Sequence, residues 1–533
     1  MSDILSSFTT RATPQSEQAS PAQSPNHAGG YTFTVSDLER LRRFLTLGTE
    51  GGTYYVGAAD LTRDAAKSVL RMAETDHATL VATIVDVSQR GAAPRQNPAL
   101  FALALAASTG SDDERRNALD QLSLVARSGT HLFLFARYVE QFRGWGRGLR
   151  RAVGEWYLRG GVNETAYQVV KYRQREGWSH RDLLRLSHPE TVDPSRRALF
   201  DWIVRGSVGD DTPRLIEGFL KVNEPGADIA AVVREYGLSW EMLPDAGLSD
   251  RSVWDALLDS GVPQTALMRQ LPRLTRLGML PNVGGRTAEI AGRLADGERL
   301  HKARVHPINV LVAQRTYASG HSARGESEWT PSRPIVDALD AAFYRAFGAV
   351  EPAGKRTMLA LDVSGSMMSP IANMPLSCRE ASGALALVQM ATEPQCEVVG
   401  FTSRSGSYFS GDTALTPLSI SPRQRLDDAV RAISDLPFGG TDCALPVTWA
   451  QEKGLEIDTF VIYTDNETWA GRSHPHEALR TYRERTGIPA RMVVVGMTAT
   501  DCSIADPKDP GMLDVAGFDA GVPSLISEFS RGL

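Results

Sequence analysis

The sequence predicts two architectures in one chain: an all-α array of stacked helices followed by a doubly wound α/β domain. From about residue 31 to 350, apolar residues recur at helical spacing in segments separated by short polar breaks, which is typical of paired helices stacked in a solenoid. From about residue 351 onward, short runs rich in β-branched residues alternate with amphipathic helical segments. That alternation predicts a mostly parallel sheet covered on both faces.

Local signals in the first part mark where helices begin. Residues 111–114 (SDDE) form a capping box, and residues 179–182 (SHRD) and Ser128 also cap helices. Asp193 stands before Pro194, which suits the first position of a helix. Because the repeat period is irregular, the sequence predicts stacked helices without fixing the length of a repeat.

The second part contains four strand-like runs and three amphipathic patterns. The predicted strands are 358–361, 396–401, 459–463 and 491–495, and the predicted helices are 378–392, 422–434 and 476–486. In a parallel sheet of this kind, the ligand site lies at the carboxyl ends of the strands.

Composition excludes several classes of protein. The chain has 533 residues, 42% of them hydrophobic and 23% charged, which is typical of a soluble protein of several domains. No apolar run is long enough to cross a bilayer, and the N-terminus does not resemble a secretory signal, so we expect no membrane association. The four cysteines lack CxxC spacing, which predicts reduced thiols in a cytoplasmic protein rather than disulfides or a zinc ribbon. Residues 1–30 are poor in large apolar side chains and are predicted to be a disordered tail.

Oxygen-bearing residues follow the predicted strands at the edge where a ligand would bind. Asp362, Ser364 and Ser366 come after the first strand, Thr441 lies in a glycine-rich loop, and Asp465 follows the strand at 459–463. Carboxylate and hydroxyl oxygens suit a divalent cation, with Mg²⁺ as the first choice and Mn²⁺ or Ca²⁺ as alternatives. The competing interpretation is a serine-rich turn that only caps the following helix.

This DxSxS…T…D pattern resembles the metal-ion-dependent adhesion site of a von Willebrand factor A domain. Such a site would leave one coordination position open for an acidic group of a partner, although the metal could also be purely structural. An enzyme is disfavoured, because the chain has no GxSxG elbow and no P-loop, and a two-metal hydrolase would need more carboxylates. His474 and His476 are interpreted as loop residues before a helix, and Cys443 as a packed thiol.

The net charge of −6 conceals an asymmetry along the chain. From Glu351 onward the formal charge is −8, and before it the charge is +2. Residues 137–185 hold eleven basic and five acidic residues with seven Trp or Tyr residues interleaved, a pattern that favours RNA phosphates and unpaired bases. The alternative is a solvated basic helix face above core aromatics. The candidate RNA contacts are Lys171, Arg175, His188, Tyr172, Arg173 and His180, with Arg137, Arg143 and Arg147 as further phosphate contacts.

Several longer stretches resemble the Ro autoantigen family. They are residues 50–55 (EGGTYY), 171–189 (KYRQREGWSHRDLLRLSHP), 337–344 (DALDAAFY) and 350–356 (VEPAGKR) leading into 362–367 (DVSGSM). The similarity runs from about residue 31 to 533 in the same order. It implies a TROVE module over 31–350 and a von Willebrand A domain over 351–533.

The resemblance implies a closed ring of HEAT-like helical repeats that the A domain helps to shut. In that family the outer surface binds small noncoding Y RNAs, and the cavity takes single-stranded 3′ ends of misfolded or precursor RNAs. Bacterial members are linked to an exoribonuclease such as polynucleotide phosphorylase, to RNA quality control and to the stress response. The Y RNA contacts carry over onto Lys171, Arg175 and His188.

The five A-domain metal ligands of the family are also all present, and the one departure is Gly365, where vertebrate relatives commonly have alanine. The expected function is therefore a non-catalytic, RNA-binding scaffold with no catalytic residues. There are two alternatives to this function. One is a protein-adhesion module that captures acidic groups through the metal, and the other is a metal-dependent hydrolase.

Overall fold

The computed structural model describes residues 12–49, 58–322, 326–348, 350–371, 376–403, 414–421 and 439–532, with positions 424, 428, 431–433 and 436. The motif at 50–55 and most of the helix predicted over 422–434 lie outside these residues. The chain divides into two compact units: Val69–Ala346 forms one, and Met1–Ser68 with Phe347–Leu533 forms the other. The division between Ala346 and Phe347 is close to the predicted domain boundary at 350. The division between Ser68 and Val69 differs from the predicted boundary at 31.

The elements up to residue 346 are mostly helical. In chain order they are β1 (Gln23–Pro25), β2 (Tyr31–Thr34), α1 (Asp37–Leu47), α2 (Ala58–Thr75), α3 (His77–Arg90), α4 (Asn97–Ala106), α5 (Asp112–Asp120), α6 (Leu122–Val125), α7 (Gly129–Phe142), α8 (Arg147–Leu158), α9 (Val162–Lys171), β3 (Gln174–Arg175), β4 (Trp178–Ser179), α10 (His180–Ser187), α11 (Pro194–Arg205), α12 (Arg214–Lys221), α13 (Ile229–Tyr236), α14 (Arg251–Ser260), α15 (Gln264–Arg276), α16 (Thr287–Leu294), α17 (Gly297–Lys302), α18 (Pro307–Ala318) and α19 (Arg333–Arg345).

The elements after residue 346 alternate between strand and helix. They are β5 (Thr357–Asp362), α20 (Cys378–Thr392), β6 (Cys396–Phe401), β7 (Leu415–Pro417), α21 (Leu445–Glu452), β8 (Thr459–Thr464), α22 (Pro475–Thr486), β9 (Arg491–Gly496), β10 (Cys502–Ser503), β11 (Met512–Ala516) and α23 (Val522–Arg531).

The predicted helix starts of the first unit are confirmed. Ser111 accepts a hydrogen bond from the Glu114 amide, and the Glu114 carboxylate accepts one from the Ser111 amide, so α5 begins with a full capping box. Ser128 caps α7, and Ser179 caps α10 in the same reciprocal way. Neighbouring helices then pack in pairs, among them α4 with α7, α13 with α14 and α18 with α19. The first unit is therefore an all-α array, as predicted.

Contacts join the C-terminal end of this array to its N-terminal end. The Arg304 guanidinium donates to the side-chain oxygen of Gln89 at 2.8 Å, and the Asn309 amide donates to the carbonyl of Pro94 at 3.4 Å. Gly91 ends α3 with φ +68°, and a Cβ built there would lie 2.8 Å from the Cβ of Arg304. A side chain at position 91 would thus be strained by its backbone and obstructed by its neighbour. The helical array closes on itself at this point.

The second unit is built on a six-stranded sheet in the order β11-β9-β8-β5-β6-β7. All neighbours are parallel except β7, which pairs antiparallel with β6. Strands β5 and β8 are buried along their whole length, which explains why the sequence shows them as continuous apolar runs. Residues from alternate positions of β5, β6, β8 and β9 form one core cluster with α21 and α22. The predicted doubly wound domain is confirmed.

The segment predicted as a disordered tail is instead ordered from residue 12 onward. Strands β1 and β2 form a three-stranded antiparallel sheet with β10 of the same unit. Gln15 and Gln23 are 0% and 5% exposed, and their partners lie more than 400 residues away in sequence. The prediction was wrong for residues 12–30, because polar side chains that bond to distant polar groups leave no apolar signal. Residues 1–11 lie outside the described residues.

A buried arginine fixes α1 to the sheet. The Arg43 side chain is 0% exposed and makes two hydrogen bonds to the Asp514 carboxylate in β11, at 2.6 and 2.7 Å. The same guanidinium donates to the carbonyls of Thr500 and Cys502, each at 2.8 Å. These four bonds satisfy a charge that would be very costly to bury alone.

Candidate metal centre and candidate nucleic-acid interface

The predicted metal ligands converge at the carboxyl edge of the sheet. Asp362 ends β5, and its two oxygens accept hydrogen bonds from the Ser364 amide at 2.9 Å and from the Thr464 hydroxyl at 2.7 Å. The hydroxyl oxygens of Ser364 and Ser366 lie 3.1 Å apart. The DxSxS turn thus presents its oxygens to one point beside the end of β8.

The other two residues lie on the adjoining loops. Asp465 follows β8, accepts a hydrogen bond from the Glu467 amide at 3.1 Å and is also hydrogen-bonded to Ser366. Thr441 precedes α21, and its carbonyl accepts from the amide of Ala470 at 3.0 Å. All five predicted ligands are at most 3% exposed. The two carboxylates and the DxSxS hydroxyls share one buried pocket of oxygens, and Thr441 is tied to the loop after Asp465.

The electrostatics of this pocket favour a cation. Burial, and secondly the charge of Asp362, raise the pKa of Asp465 to about 7. Burial likewise raises the pKa of Asp362, although hydrogen bonds from Ser364 and Thr464 act in the opposite direction. Two carboxylates that repel each other in a buried oxygen-lined site provide the donor chemistry that a divalent ion prefers. The residues therefore fit the ion that the sequence predicts.

The N-terminal segment supports both loops of the candidate metal site, which the sequence did not reveal. The Gln15 side-chain amide donates to the Asp442 carboxylate at 2.9 Å and to the Ser473 carbonyl at 2.8 Å, and its oxygen accepts from the Thr468 hydroxyl. Asp442 is next to Thr441, and Thr468 is three residues after Asp465. One buried glutamine thus ties the two loops together.

His474 is held by the same segment. Its Nδ1 lies 3.1 Å from the Gln23 amide nitrogen, and its Nε2 lies 2.8 Å from the Glu17 carbonyl. His474 immediately precedes α22. With both ring nitrogens occupied, it is a structural residue at the start of that helix, as the sequence indicated.

The candidate nucleic-acid interface is centred on a short β-hairpin between α9 and α10. Strands β3 and β4 pair antiparallel, with Arg175 opposite Trp178. The two turn residues, Glu176 and Gly177, both have positive φ, of 57° and 82°, which matches the tight hairpin turns that follow the natural twist of the strands. Arg175 is exposed, and its guanidinium donates to the carbonyl of Gln174 at 2.9 Å. No ion pair neutralises Arg175 within the described part of the chain.

Lys171 at the end of α9 is more enclosed than the sequence suggested. Its ammonium group lies 2.9 Å from the Glu241 carboxylate, 3.3 Å from the Tyr167 hydroxyl, and within 5.3 Å of the Tyr167 and Tyr172 ring centres. Burial is the largest single influence and acts to lower the pKa of Lys171, but the hydrogen bond to Glu241 and the charges of Tyr167, Tyr172 and Glu241 together raise the pKa. A phosphate at Lys171 would therefore compete with Glu241.

His188 is exposed at the C-terminal end of α10. Its backbone has φ +46°, and its amide donates to the Leu184 carbonyl at 2.9 Å. A left-handed backbone outside glycine costs about 1 to 3 kcal/mol, and the following Pro189 restricts this residue further. Such strain is typical of a side chain held in place for function.

Beside the hairpin lies a cleft of about 580 Å³ with a basic and aromatic lining. The cleft is lined by four arginines, Arg173, Arg181, Arg185 and Arg205. No carboxylate is found among the described residues that line it. The Arg173 guanidinium lies 4.4 Å from the centre of the Phe219 ring. This cleft offers positive charge and an aromatic face together.

The structure corrects the role of His180. It is 2% exposed, its Nδ1 lies 2.7 Å from the Tyr157 hydroxyl, and its ring centre is 4.6 Å from that of Phe133. Burial lowers the pKa of His180 to about 3, so the ring is neutral. The prediction that His180 contacts RNA is wrong, because the side chain packs in the core behind the hairpin. Tyr172 is half-buried, with its ring beside the Lys171 ammonium group.

The three additional arginines lie on α7 and α8. Arg137 is exposed and forms an ion pair with Glu176 of the hairpin. Arg143 follows the end of α7, and Arg147 begins α8. Both are exposed and line a second cleft, apart from the first.

Among the described residues, no helix has the length and apolar character needed to cross a bilayer.

Comparisons with known proteins agree with this architecture. The Ro60 vWA domain family model matches residues 356–530, and the TROVE domain model matches residues 24–207 and 235–316. The curated RNA-binding protein RO60 of Deinococcus radiodurans is 41% identical over 100% of both chains. RNA-binding protein RO60 of Caenorhabditis elegans is 36% identical over 98% of this chain and 92% of its own.

A solved crystal structure is also similar to this chain over nearly its full length. The crystal structure of the Deinococcus radiodurans RO (RSR) protein superposes with a TM-score of 0.70, covers 93% of this chain and 100% of its own, and is 41% identical. Together, the fold and sites define a TROVE helical module joined to a von Willebrand A domain. With full-length relatives at this level of identity, the chain belongs to the Ro60 family.

Proposed function

We propose that this protein binds RNA without cleaving it and acts as the protein component of a Ro-type ribonucleoprotein. The observation that carries the proposal is the exposed surface around the hairpin β3–β4. There the unpaired Arg175, the strained His188 and the four-arginine cleft lie on neighbouring elements of one unit. Arginine side chains neutralise phosphates, and aromatic or guanidinium faces stack on bases.

The ligand class that suits this surface is a small structured RNA of the Y type. A folded RNA presents phosphates to Lys171 and Arg175 and unpaired bases to the aromatic cleft, and His188 supplies a further hydrogen-bonding or stacking group. The names of the two curated relatives support RNA as the ligand. The resemblance further suggests misfolded or precursor RNAs with single-stranded 3′ ends as a second ligand. An exoribonuclease such as polynucleotide phosphorylase would then be the protein partner.

The A domain would hold a divalent cation, and Mg²⁺ is our first choice, before Mn²⁺ and Ca²⁺. Asp362, Ser364, Ser366, Thr441 and Asp465 would be its ligands, and the ion would compensate the two buried carboxylates. A partner's acidic group could complete the coordination shell, which makes the A domain the candidate surface for a protein partner. The four cysteines are free thiols, which fits the reducing cytoplasm that we propose as its location.

The Lys171→Ala, Arg175→Ala double variant tests the RNA proposal. It should weaken binding of a small structured RNA and reduce the slope of log affinity against log salt by up to ~2, because two phosphate contacts are removed. A fluorescence anisotropy titration across salt concentrations measures both quantities. The matched control is Arg234→Ala with Arg269→Ala, which removes two exposed charges elsewhere on the same unit.

Glu241 provides a second test, in which the affinity for RNA should rise rather than fall. Since its carboxylate pairs with Lys171, Glu241→Gln should free the ammonium group and raise the affinity for the same RNA. If neither the double variant nor Glu241→Gln differs from the wild type in affinity or slope, the proposed RNA site is wrong.

A further inference from the structure

An N-terminal strap, residues 13–30, lies across the two loops that carry the predicted metal ligands Thr441 and Asp465. The strap belongs to the same compact unit as these loops, although more than 400 residues separate them in sequence. Two of its polar side chains are almost completely buried, since Gln15 is 0% exposed and Asn26 is 8% exposed. Polar groups buried to this extent need specific hydrogen-bond partners, so the strap is docked in one defined position.

Gln15 lies where the two loops meet. Its side-chain amide donates to the Asp442 carboxylate at 2.9 Å, and its side-chain oxygen accepts from the Thr468 hydroxyl. The Thr468 hydroxyl also lies 3.3 Å from the Thr441 carbonyl and accepts from the Cys443 amide at 3.1 Å. Gln15 is therefore part of a chain of hydrogen bonds that ends on the backbone of a predicted metal ligand.

The contact between the strap and the loop after β8 leaves no room for larger side chains. A Cβ built at Gly471 would lie 2.2 Å from Nε2 of Gln15. A Cβ built at Gly30 would lie 1.9 Å from the carbonyl oxygen of Thr468. Both glycines thus permit a close approach that any other residue would prevent.

The strap also holds the Glu467 carboxylate, which lies two residues after Asp465. One oxygen of Glu467 is 2.9 Å from Nδ1 of His27, and the other accepts from the Ala28 amide at 3.1 Å. Glu467 is 1% exposed, so these contacts lie at the base of the loop and not at its surface. Both oxygens of this third carboxylate are thereby bonded to the strap.

We propose that the strap is a working part of the metal site, and that Gln15 is a positioning residue for the metal ligands. The inference rests on the proposed divalent cation at the end of β8. Two separate loops bind a cation tightly only if they are already held in place, because ordering them on binding would reduce the net binding free energy. By thermodynamic reciprocity, the bound cation in turn stabilises the docked strap.

The first test compares the Mg²⁺ affinity of Gln15→Ala with that of the wild type, by isothermal titration calorimetry on the full chain. We expect the Kd to rise about tenfold, the usual effect of losing a group that orients metal ligands. Gly471→Ala displaces the Gln15 amide from the opposite side and should weaken Mg²⁺ binding in the same way.

Gln23→Ala is the matched control, because Gln23 is also a buried glutamine of the strap. Its side chain contacts His474 and the backbone of the strap itself, and no residue of the two ligand-bearing loops before His474. The Kd of this variant should stay close to that of the wild type. Melting temperatures in EDTA give the loss of stability of each variant separately from its Mg²⁺ affinity.

Hydrogen exchange of the wild-type chain tests the reciprocal effect without a substitution. The Gln15 amide donates to the Gly471 carbonyl at 3.0 Å, and the Ala28 amide donates to Glu467, so exchange within residues 13–30 reports undocking of the strap. Saturating Mg²⁺ should slow this exchange about tenfold in the wild type and leave it unchanged in Asp465→Asn.

The outcomes separate the strap from the metal site. If Mg²⁺ binds the wild type, Gln15→Ala and Gly471→Ala equally well and does not slow exchange within the strap, this inference alone is overturned. A loss of affinity in Gln23→Ala as large as that in Gln15→Ala would also overturn it, because it would reflect a general loss of stability. If the wild type shows no Mg²⁺ binding that Asp465→Asn abolishes, the proposed cation fails as well.

Discussion

Replacing Arg43 with methionine is expected to lower the free energy of unfolding of the second unit by about 3 to 5 kcal/mol. The substitution removes the four hydrogen bonds of a fully buried guanidinium and leaves the Asp514 carboxylate, 8% exposed, without its cation. An uncompensated buried charge is among the most destabilising single defects in a protein. Urea unfolding monitored by fluorescence measures the change.

Arg40→Met is the matched control, since Arg40 lies on the same helix. Its ion pair with Asp501 is longer, at 3.7 Å, and the aspartate is 42% exposed, so its loss should cost about 1 kcal/mol or less. A double variant, Arg43→Met with Asp514→Leu, should recover part of the stability by removing both charges. Equal effects of Arg43→Met and Arg40→Met would show that the buried pair does not anchor α1.

Asp465→Asn should have opposite effects with and without metal. In EDTA the variant should melt at a higher temperature than the wild type, because one of two buried carboxylates that repel each other becomes neutral. The side-chain oxygen of the introduced asparagine can still accept the hydrogen bond from the backbone amide of Glu467. With Mg²⁺ at about 100 times its Kd, the wild type should gain about 2.7 kcal/mol and the variant almost nothing. Calorimetry of the full chain measures both.

Glu484→Gln, an exposed substitution on α22, removes a carboxylate of the same unit and should respond to Mg²⁺ as the wild type does. If Asp465→Asn responds to Mg²⁺ as strongly as the control, the ion does not bind at the end of β8. A lower melting temperature of the variant in EDTA would contradict the account of the two carboxylates.

The sheet was predictable because its strands are buried on both faces. Predicted strands at 358–361, 459–463 and 491–495 differ from β5, β8 and β9 by one or two residues. Strand β11 was missed, since Asp514 interrupts its apolar pattern to pair with Arg43. The convergence of the candidate metal ligands was predictable because strand ends are readable from sequence and parallel strands end at one edge.

What the sequence could not show are contacts between residues far apart in the chain. The role of Gln15 depends on partners more than 400 residues away, and the Lys171–Glu241 pair spans 70 positions. His180 lies in a basic, aromatic stretch, and only packing distinguishes a core imidazole from a surface one. The cleft lined by Arg143 and Arg147 likewise exists only once α5, α7 and α8 are packed together.

The central claim is that the helical unit binds RNA through the surface around the hairpin β3–β4. Photocrosslinking of the full chain to a small structured RNA that contains 4-thiouridine, followed by mass spectrometry of the peptides, tests it most directly. We expect crosslinked peptides within residues 137–188, with Tyr167 and Tyr172 among the modified side chains. Crosslinks confined to residues 347–532, with none between 137 and 188, would contradict the claim.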